Sequence, residues 1–142
     1  MFDSKKVVIL LRSCSNAGKS TLAEYLESIY PYENLSFVCC ADDYFYNNGV
    51  YQFDASRLGF AHNECRRKYL QYLQDGVGLV IVANTNTRTS DVNFYQEWAK
   101  ELEYKFFSLV VEKRHENLND HRVPEETLQK QEGQIRGSLK LR

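Results

Sequence analysis

The stretch Val7–Leu22, VVILLRSCSNAGKSTL, constrains this chain more than any other. An apolar run of strand length, Val7 to Leu11, leads into a turn of small residues. Gly18-Lys19-Ser20-Thr21 follows, and Leu22-Ala23-Glu24-Tyr25-Leu26 continues with helical spacing. Strand, small-residue loop and helix in that order give GKST a structural context, and that context separates a phosphate loop from a chance string. Amide N–H groups of residues 14–20 would turn inward around phosphate oxygens, above the positive dipole end of the helix. Lys19 would reach the β/γ-phosphates, and the Ser20 hydroxyl would bind Mg²⁺. The candidate nucleotide-binding set is therefore Ser13, Cys14, Ser15, Asn16, Ala17, Gly18, Lys19, Ser20 and Thr21. The full GxxxxGKS/T pattern opens on glycine, and Ser13 stands in that place.

A chain of 142 residues predicts one domain, residues 1–142, with enough length to bury a core. Hydrophobic residues at 43% and charged residues at 26% suit a globular protein. The net charge of −1 offers no general attraction to nucleic acid, so a polynucleotide surface must be a local basic patch. No apolar window is long enough to span a bilayer, and Met1–Lys6 holds no signal-peptide apolar stretch. A cytoplasmic location with no membrane partner is expected. Cys39 and Cys40 are adjacent, and no CxxC pair exists among the four cysteines, which favours free thiols.

Along the chain, Thr21–Ile29 reads as a helix stopped by Pro31. Leu35–Cys40 reads as a second strand, followed at once by Ala41-Asp42-Asp43-Tyr44-Phe45. Ligands of open α/β sheets bind beyond the carboxyl ends of the strands, so Asp42 and Asp43 share an edge with the loop. Alone, such an acidic pair reads equally well as a helix cap. Asn47-Asn48-Gly49 would close a small hairpin, whose tyrosines are packing or a lip for a substrate base. Ala55–Gln74 is a helix with Leu58, Ala61, Cys65, Tyr69 and Tyr72 on its apolar face. His62 on that helix is a core histidine or a contact to the Asp42 loop. Arg66, Arg67 and Lys68 form the densest basic cluster, read first as a solvated face and second as a nucleic-acid contact.

Leu79–Ala83 is wholly apolar, as a buried parallel strand should be. Asn84-Thr85-Asn86-Thr87 closes it, a polar cluster suited to orienting phosphate, water or the Asp42 carboxylate. Asp91–Leu102 is a helix, Tyr104–Glu112 a fourth strand, and Glu125–Gln134 a helix with Pro124 in its first turn. The βαβαβαβ alternation predicts an α/β protein with a parallel sheet and helices on both faces.

Several of these pieces together resemble the small, AAA-like phosphate-loop kinases related to bacteriophage polynucleotide 5′-hydroxyl kinase. The resemblance is carried by Ala41-Asp42-Asp43-Tyr44-Phe45, Gly49-Val50-Tyr51-Gln52-Phe53-Asp54, Leu58, Ala61-His62, Cys65 and Val82–Thr87. His121-Arg122-Val123-Pro124 looks like the segment that follows the family's lid. The resemblance implies a three-layer α/β/α P-loop NTPase fold, with a mainly parallel sheet of about four strands in the order 2-3-1-4. It implies ATP and Mg²⁺ as cofactors, and transfer of the γ-phosphoryl group to a hydroxyl. A nucleotide triphosphate is the expected partner, with the 5′-hydroxyl of a polynucleotide or a related nucleotide as acceptor, while a modified base, a nucleoside or a small metabolite stays open. Asp42 matches the family's general base, and Lys19 and Ser20 its phosphate and Mg²⁺ residues. Asp43 joins Ser20 as a metal residue acting through water. Either Arg114 or Arg122 would supply the transition-state charge, since Leu118 replaces the usual lid arginine. Ser13 and Ala83 also depart from the family pattern. These departures keep a second reading open, a nucleotide-binding module with little or no transfer.

Overall fold

The computed structural model describes residues 6–15, 17–30, 35–113 and 123–139. Apolar runs become strands and amphipathic runs become helices in the expected alternation. Strand β1 is Val7–Arg12, helix α1 Lys19–Ile29, and strand β2 Ser36–Cys39. A 3₁₀ helix at Ala41–Phe45 leads into a hairpin of β3 (Tyr46–Asn47) and β4 (Val50–Tyr51). A 3₁₀ turn at Ala55–Arg57 precedes α2, Leu58–Gln74. Then come β5 (Leu79–Ala83), α3 (Thr89–Glu101), β6 (Lys105–Val110) and α4 (Glu125–Ser138).

The main sheet has four parallel strands in the order β2-β5-β1-β6. Counting only its members, that is the expected order 2-3-1-4, because the hairpin forms a separate two-stranded sheet. Central β1 pairs with β5 from Val7↔Leu79 to Leu11↔Ala83 and with β6 from Val7↔Lys105 to Arg12↔Val110. All five residues of β5 are buried, since helices cover both of its faces. On one face Val8, Leu10, Val80 and Val82 meet Ala61, Cys65, Tyr69 and Leu73 of α2 and Tyr95 and Ala99 of α3. On the other, Leu11, Leu79, Ile81 and Ala83 meet Leu22, Ala23 and Leu26 of α1. The result is the three-layer α/β/α arrangement.

Asn48 (φ 51°) and Gly49 (φ 81°) both turn left-handed, which matches the twist of a tight hairpin. The expected apolar face of α2 holds from Ala61 to Tyr72. Leu58 is exposed, Leu73 is also buried, and half-buried Tyr72 stacks its ring on Phe37 at 4.6 Å. The helix starts at Leu58 rather than Ala55 because Asp54 caps a 3₁₀ turn, its Oδ1 accepting from the Ser56 N–H at 2.9 Å. Helix α4 runs on past Gln134 to Ser138. Pro31, where the first helix was expected to stop, lies outside the described residues.

Tyr69 is fully buried, its hydroxyl donating to the Tyr95 carbonyl at 2.7 Å. Tyr69→Phe is expected to cost about 1 kcal/mol of unfolding free energy, the net worth of one hydrogen bond. Tyr69→Ala is expected to cost about 3–5 kcal/mol through the cavity it opens. Urea titration checks both, and equal losses would mean that the ring packs loosely.

Candidate functional site

Because the sheet is parallel, β1, β2 and β5 release their chains at one edge. From β1 the chain enters the loop at Ser13, whose N–H donates to the Thr85 carbonyl at 3.1 Å. Ser13 is buried and is not among the residues with positive φ, so the missing glycine causes no left-handed strain there. Its hydroxyl donates to the Cys14 carbonyl at 2.7 Å. Gly18 takes φ 102° at the N-cap of α1 and has no side chain with which to cap the helix. Ser20 and Thr21 follow in the exposed first turn, which carries no acidic residue.

Lys19 folds back into this loop. Its ammonium donates to the Ser13 hydroxyl at 2.7 Å and to the Cys14 carbonyl at 3.2 Å. Among the described residues it forms no ion pair. Desolvation holds its pKa below the ordinary 10.5, with more distant Cys40 and Asp42 opposing. A desolvated cation at the positive end of a helix, held by neutral oxygens, would be stabilised by a nearby anion.

Asp42 and Asp43 arrive from β2 in the 3₁₀ helix. Asp42 is half-buried, and Tyr51 of the hairpin donates its hydroxyl to Asp42 Oδ1 at 3.4 Å. Burial and the Asp42 charge push the Tyr51 phenol up to about 12, so it remains a donor at neutral pH. Partial desolvation raises the Asp43 carboxyl, while Lys68 draws it down.

The polar cluster after β5 serves mainly as framework. Asn84 Oδ1 accepts from the Ala41 N–H at 2.7 Å, and Asn84 Nδ2 donates to Cys65 Sγ at 3.4 Å. Asn84 thus fixes the backbone next to Asp42 rather than the carboxylate itself. Asn86 takes φ 46° and donates to the Leu11 and Asn84 carbonyls at 3.0 and 3.3 Å. Thr87 donates to Gln134 Oε1 at 2.5 Å.

Two features of the site were missed in the sequence. Arg12, the last residue of β1, is buried and donates to the Asn86 and Thr87 carbonyls at 2.8 and 3.3 Å and to the Ser138 hydroxyl at 2.6 Å. Helix α4 closes over the loop: Gln131 Oε1 accepts from the Ser15 N–H at 2.8 Å, and the Leu128 carbonyl accepts from Cys14 Sγ at 3.8 Å. An arginine ending an apolar strand was a signal for the first. Nothing local marked the second. Between loop, β6 end and α4 lies a cavity of about 730 Å³, reached by Ser13, Ala17, Val111, Leu128 and Arg136.

The basic cluster on α2 divides. Arg67 pairs with Glu64 at 2.6 Å in solvent, as a solvated face predicts. Arg66 is half-buried with its guanidinium 4.8 Å from the Phe94 ring centre. His62 is half-buried, and desolvation lowers its pKa, leaving it neutral near pH 7. All four cysteines are free. Asn16, Arg114 and Arg122, together with Leu118 and His121, lie outside the described residues. Among the described residues no helix is long and apolar enough to cross a membrane.

No protein-family model matches the chain. It is 33% identical over 99 residues to the Homo sapiens NEDD4-binding protein 2, a match that takes in 70% of this chain and 5% of that protein. The chain thus spans a small fraction of that relative's length. Among solved structures, a variant of the Mycobacterium tuberculosis APS kinase CysC aligns with TM-score 0.51 at 15% identity, over 93% of this chain and 98% of the other. The structure of a Pnkp1/Rnl/Hen1 complex aligns with TM-score 0.61 at 15% identity, over 92% of this chain and 40% of that one. The same CysC kinase in complex with AMPPNP and APS aligns with TM-score 0.54 at 15% identity, over 76% and 63%. The chain shares the α/β fold of these solved structures.

The lowered pKa of Lys19 has a sign that can be checked. Between its folded value and 10.5 the unfolded chain binds more protons than the native one, so this group's burial penalty is full below that window and fades as pH rises through it. Lys19→Met is therefore expected to melt at or above the wild-type temperature at pH 7 without ligand, and to lose that advantage as pH approaches 10.5. A large drop in melting temperature at pH 7 would show that the ammonium is compensated within the fold.

Proposed function

We propose that the chain is an ATP-dependent kinase that transfers the γ-phosphoryl group to a hydroxyl, with the 5′-hydroxyl of a polynucleotide as acceptor. The observation that carries this reading is Lys19, a desolvated ammonium held, among the described residues, by the Ser13 hydroxyl and the Cys14 carbonyl at the start of α1. A triphosphate would supply negative charge at this position. AMPPNP in the complex of the CysC kinase, a protein of the same fold, agrees with that.

The side chains at the start of α1 support a triphosphate with Mg²⁺ there: when bound, Mg²⁺ would neutralise phosphate charge and ATP would supply the group transferred. Ser20, exposed in the first turn of α1, would hold the metal, with Asp43 as the second candidate residue. Lys19 screens the phosphate oxygens, and the uncapped turn of α1 adds its dipole. Asp42 takes the proton of the attacking hydroxyl, with Tyr51 and the Asn84-anchored 3₁₀ helix holding the carboxylate in place. Arg114 or Arg122 is proposed to bring the transition-state charge from the segment after β6. Residues 1–142 act as one unit in this reading.

A second reading, nucleotide binding with little or no transfer, rests on the departures from the family pattern at Ser13, Ala83 and Leu118. Turnover of ATP with and without a 5′-hydroxyl oligonucleotide separates the two. Asp42→Asn is expected to keep the ATP-induced rise in melting temperature and to lose transfer by about 10²–10⁴-fold, the usual worth of a general base. Transfer surviving in Asp42→Asn would overturn the assignment of the base. A wild-type protein that is stabilised by ATP yet phosphorylates no oligonucleotide would establish the second reading.

A further inference from the structure

We infer that the β3–β4 hairpin and the turn before α2 form a stacking platform for the unpaired bases of a single-stranded nucleic acid, beside the carboxylate of Asp42. The inference rests on the kinase reading only for the direction of the strand, with its 5′ end toward Asp42.

A cleft of about 780 Å³ opens here, lined by Tyr44, Tyr46, Phe53, Asp54 and Arg57 among others. Its rings are unusually exposed for their size: Tyr46 at 50%, Phe53 at 54%, and neighbouring Phe60 at 59%. Tyr46 and Phe53 are nevertheless braced. Phe53 leans on the buried Phe45 with ring centres 5.1 Å apart, and Tyr46 leans on Tyr51 at 5.3 Å. A ring held from beneath with its outer face in solvent is pre-organised for stacking, because little side-chain freedom is left to lose.

The cation in the cleft points the same way. The Arg57 guanidinium lies 5.0 Å from the Phe60 ring centre and 5.7 Å from that of Tyr44, and it donates to the Tyr44 hydroxyl at 3.0 and 2.6 Å. Asp54, the carboxylate lining the cleft, is engaged by the Ser56 N–H and hydroxyl at 2.9 and 2.6 Å, and Arg57 forms no ion pair among the described residues. Aromatic faces interleaved with an exposed guanidinium match the alternation of base and phosphate along a single strand. A duplex hides its base faces in its own stack and cannot use them. Continuity with the chemistry comes through Tyr51, which braces Tyr46 on one side and hydrogen-bonds Asp42 on the other.

The test uses the full chain and a 3′-labelled oligothymidylate of about twelve nucleotides with a free 5′-hydroxyl, read by fluorescence anisotropy. Phe53→Ala and Phe60→Ala are each expected to weaken binding about tenfold, the scale of one lost base stack. Arg57→Gln is expected to flatten the slope of log K against log salt by about one unit. All three positions are exposed, and thermal melts confirm that the variants fold. Wild-type affinity in both ring variants would overturn the platform. So would a blunt duplex of equal length competing as well as the single strand. Ring-dependent binding without phosphate transfer would uphold the platform and count against the kinase reading. Transfer to the oligonucleotide with unchanged acceptor KM in the ring variants would do the reverse.

Discussion

Parallel pairing of β5 between β1 and β2 is the constraint on which everything else here depends. Register Leu11↔Ala83 places the chain leaving β1 beside the chain leaving β5, and Cys39↔Val82 does the same for β2. Three loops with different chemistry therefore meet at one edge: the lysine loop, the Asp42 helix and the Asn84–Thr87 cluster. An antiparallel sheet would have sent one of them to the opposite end. The wholly buried β5 makes this pairing hard to shift, since a slip of one residue would exchange its two packed faces.

Bringing polar loops together under cover creates a debt of hydrogen bonds, and most of the buried polar side chains go to settling it. Arg12, Asn84, Asn86 and Thr87 are all buried, and each donates to or accepts from a backbone or side-chain group across the edge. Leaving any of these partners unmet would cost about 1–3 kcal/mol. Lys19 stands apart. Its acceptors among the described residues are neutral, it forms no ion pair there, and the helix dipole beneath it has the wrong sign for a cation. In the proposed reading a phosphate would offset that mismatch.

The chain's own text carried most of this edge. The run LVIVA announced a buried strand, Asn48-Gly49 announced a hairpin, and GKST after an apolar strand announced the loop. Those signals are local and hold their meaning out of context. Other parts were illegible for physical reasons. Ser13 looked like a defect against the motif, yet its side chain braces the loop and receives Lys19, roles that only the folded geometry defines. Gln131 and Gln134 look like solvent-facing positions on a polar helix. They become part of the site because α4 crosses the loop more than a hundred residues after the chain left it. Arg66 belongs to a run of three cations that reads as solvated surface, but a neighbouring helix supplies Phe94 and takes it inward. The aromatic residues around the hairpin were visible as a cluster, while the bracing that leaves their outer faces in solvent was not.

The proposal that the fold holds Lys19 as a desolvated charge for a phosphate ligand is tested most directly by titrating its side-chain nitrogen by NMR with and without Mg-ATP. The account predicts a pKa below 10.5 in the ligand-free protein and a clear rise when the nucleotide is added, because the triphosphate restores the charge that desolvation opposes. An ordinary value near 10.5 that does not move with nucleotide would contradict it.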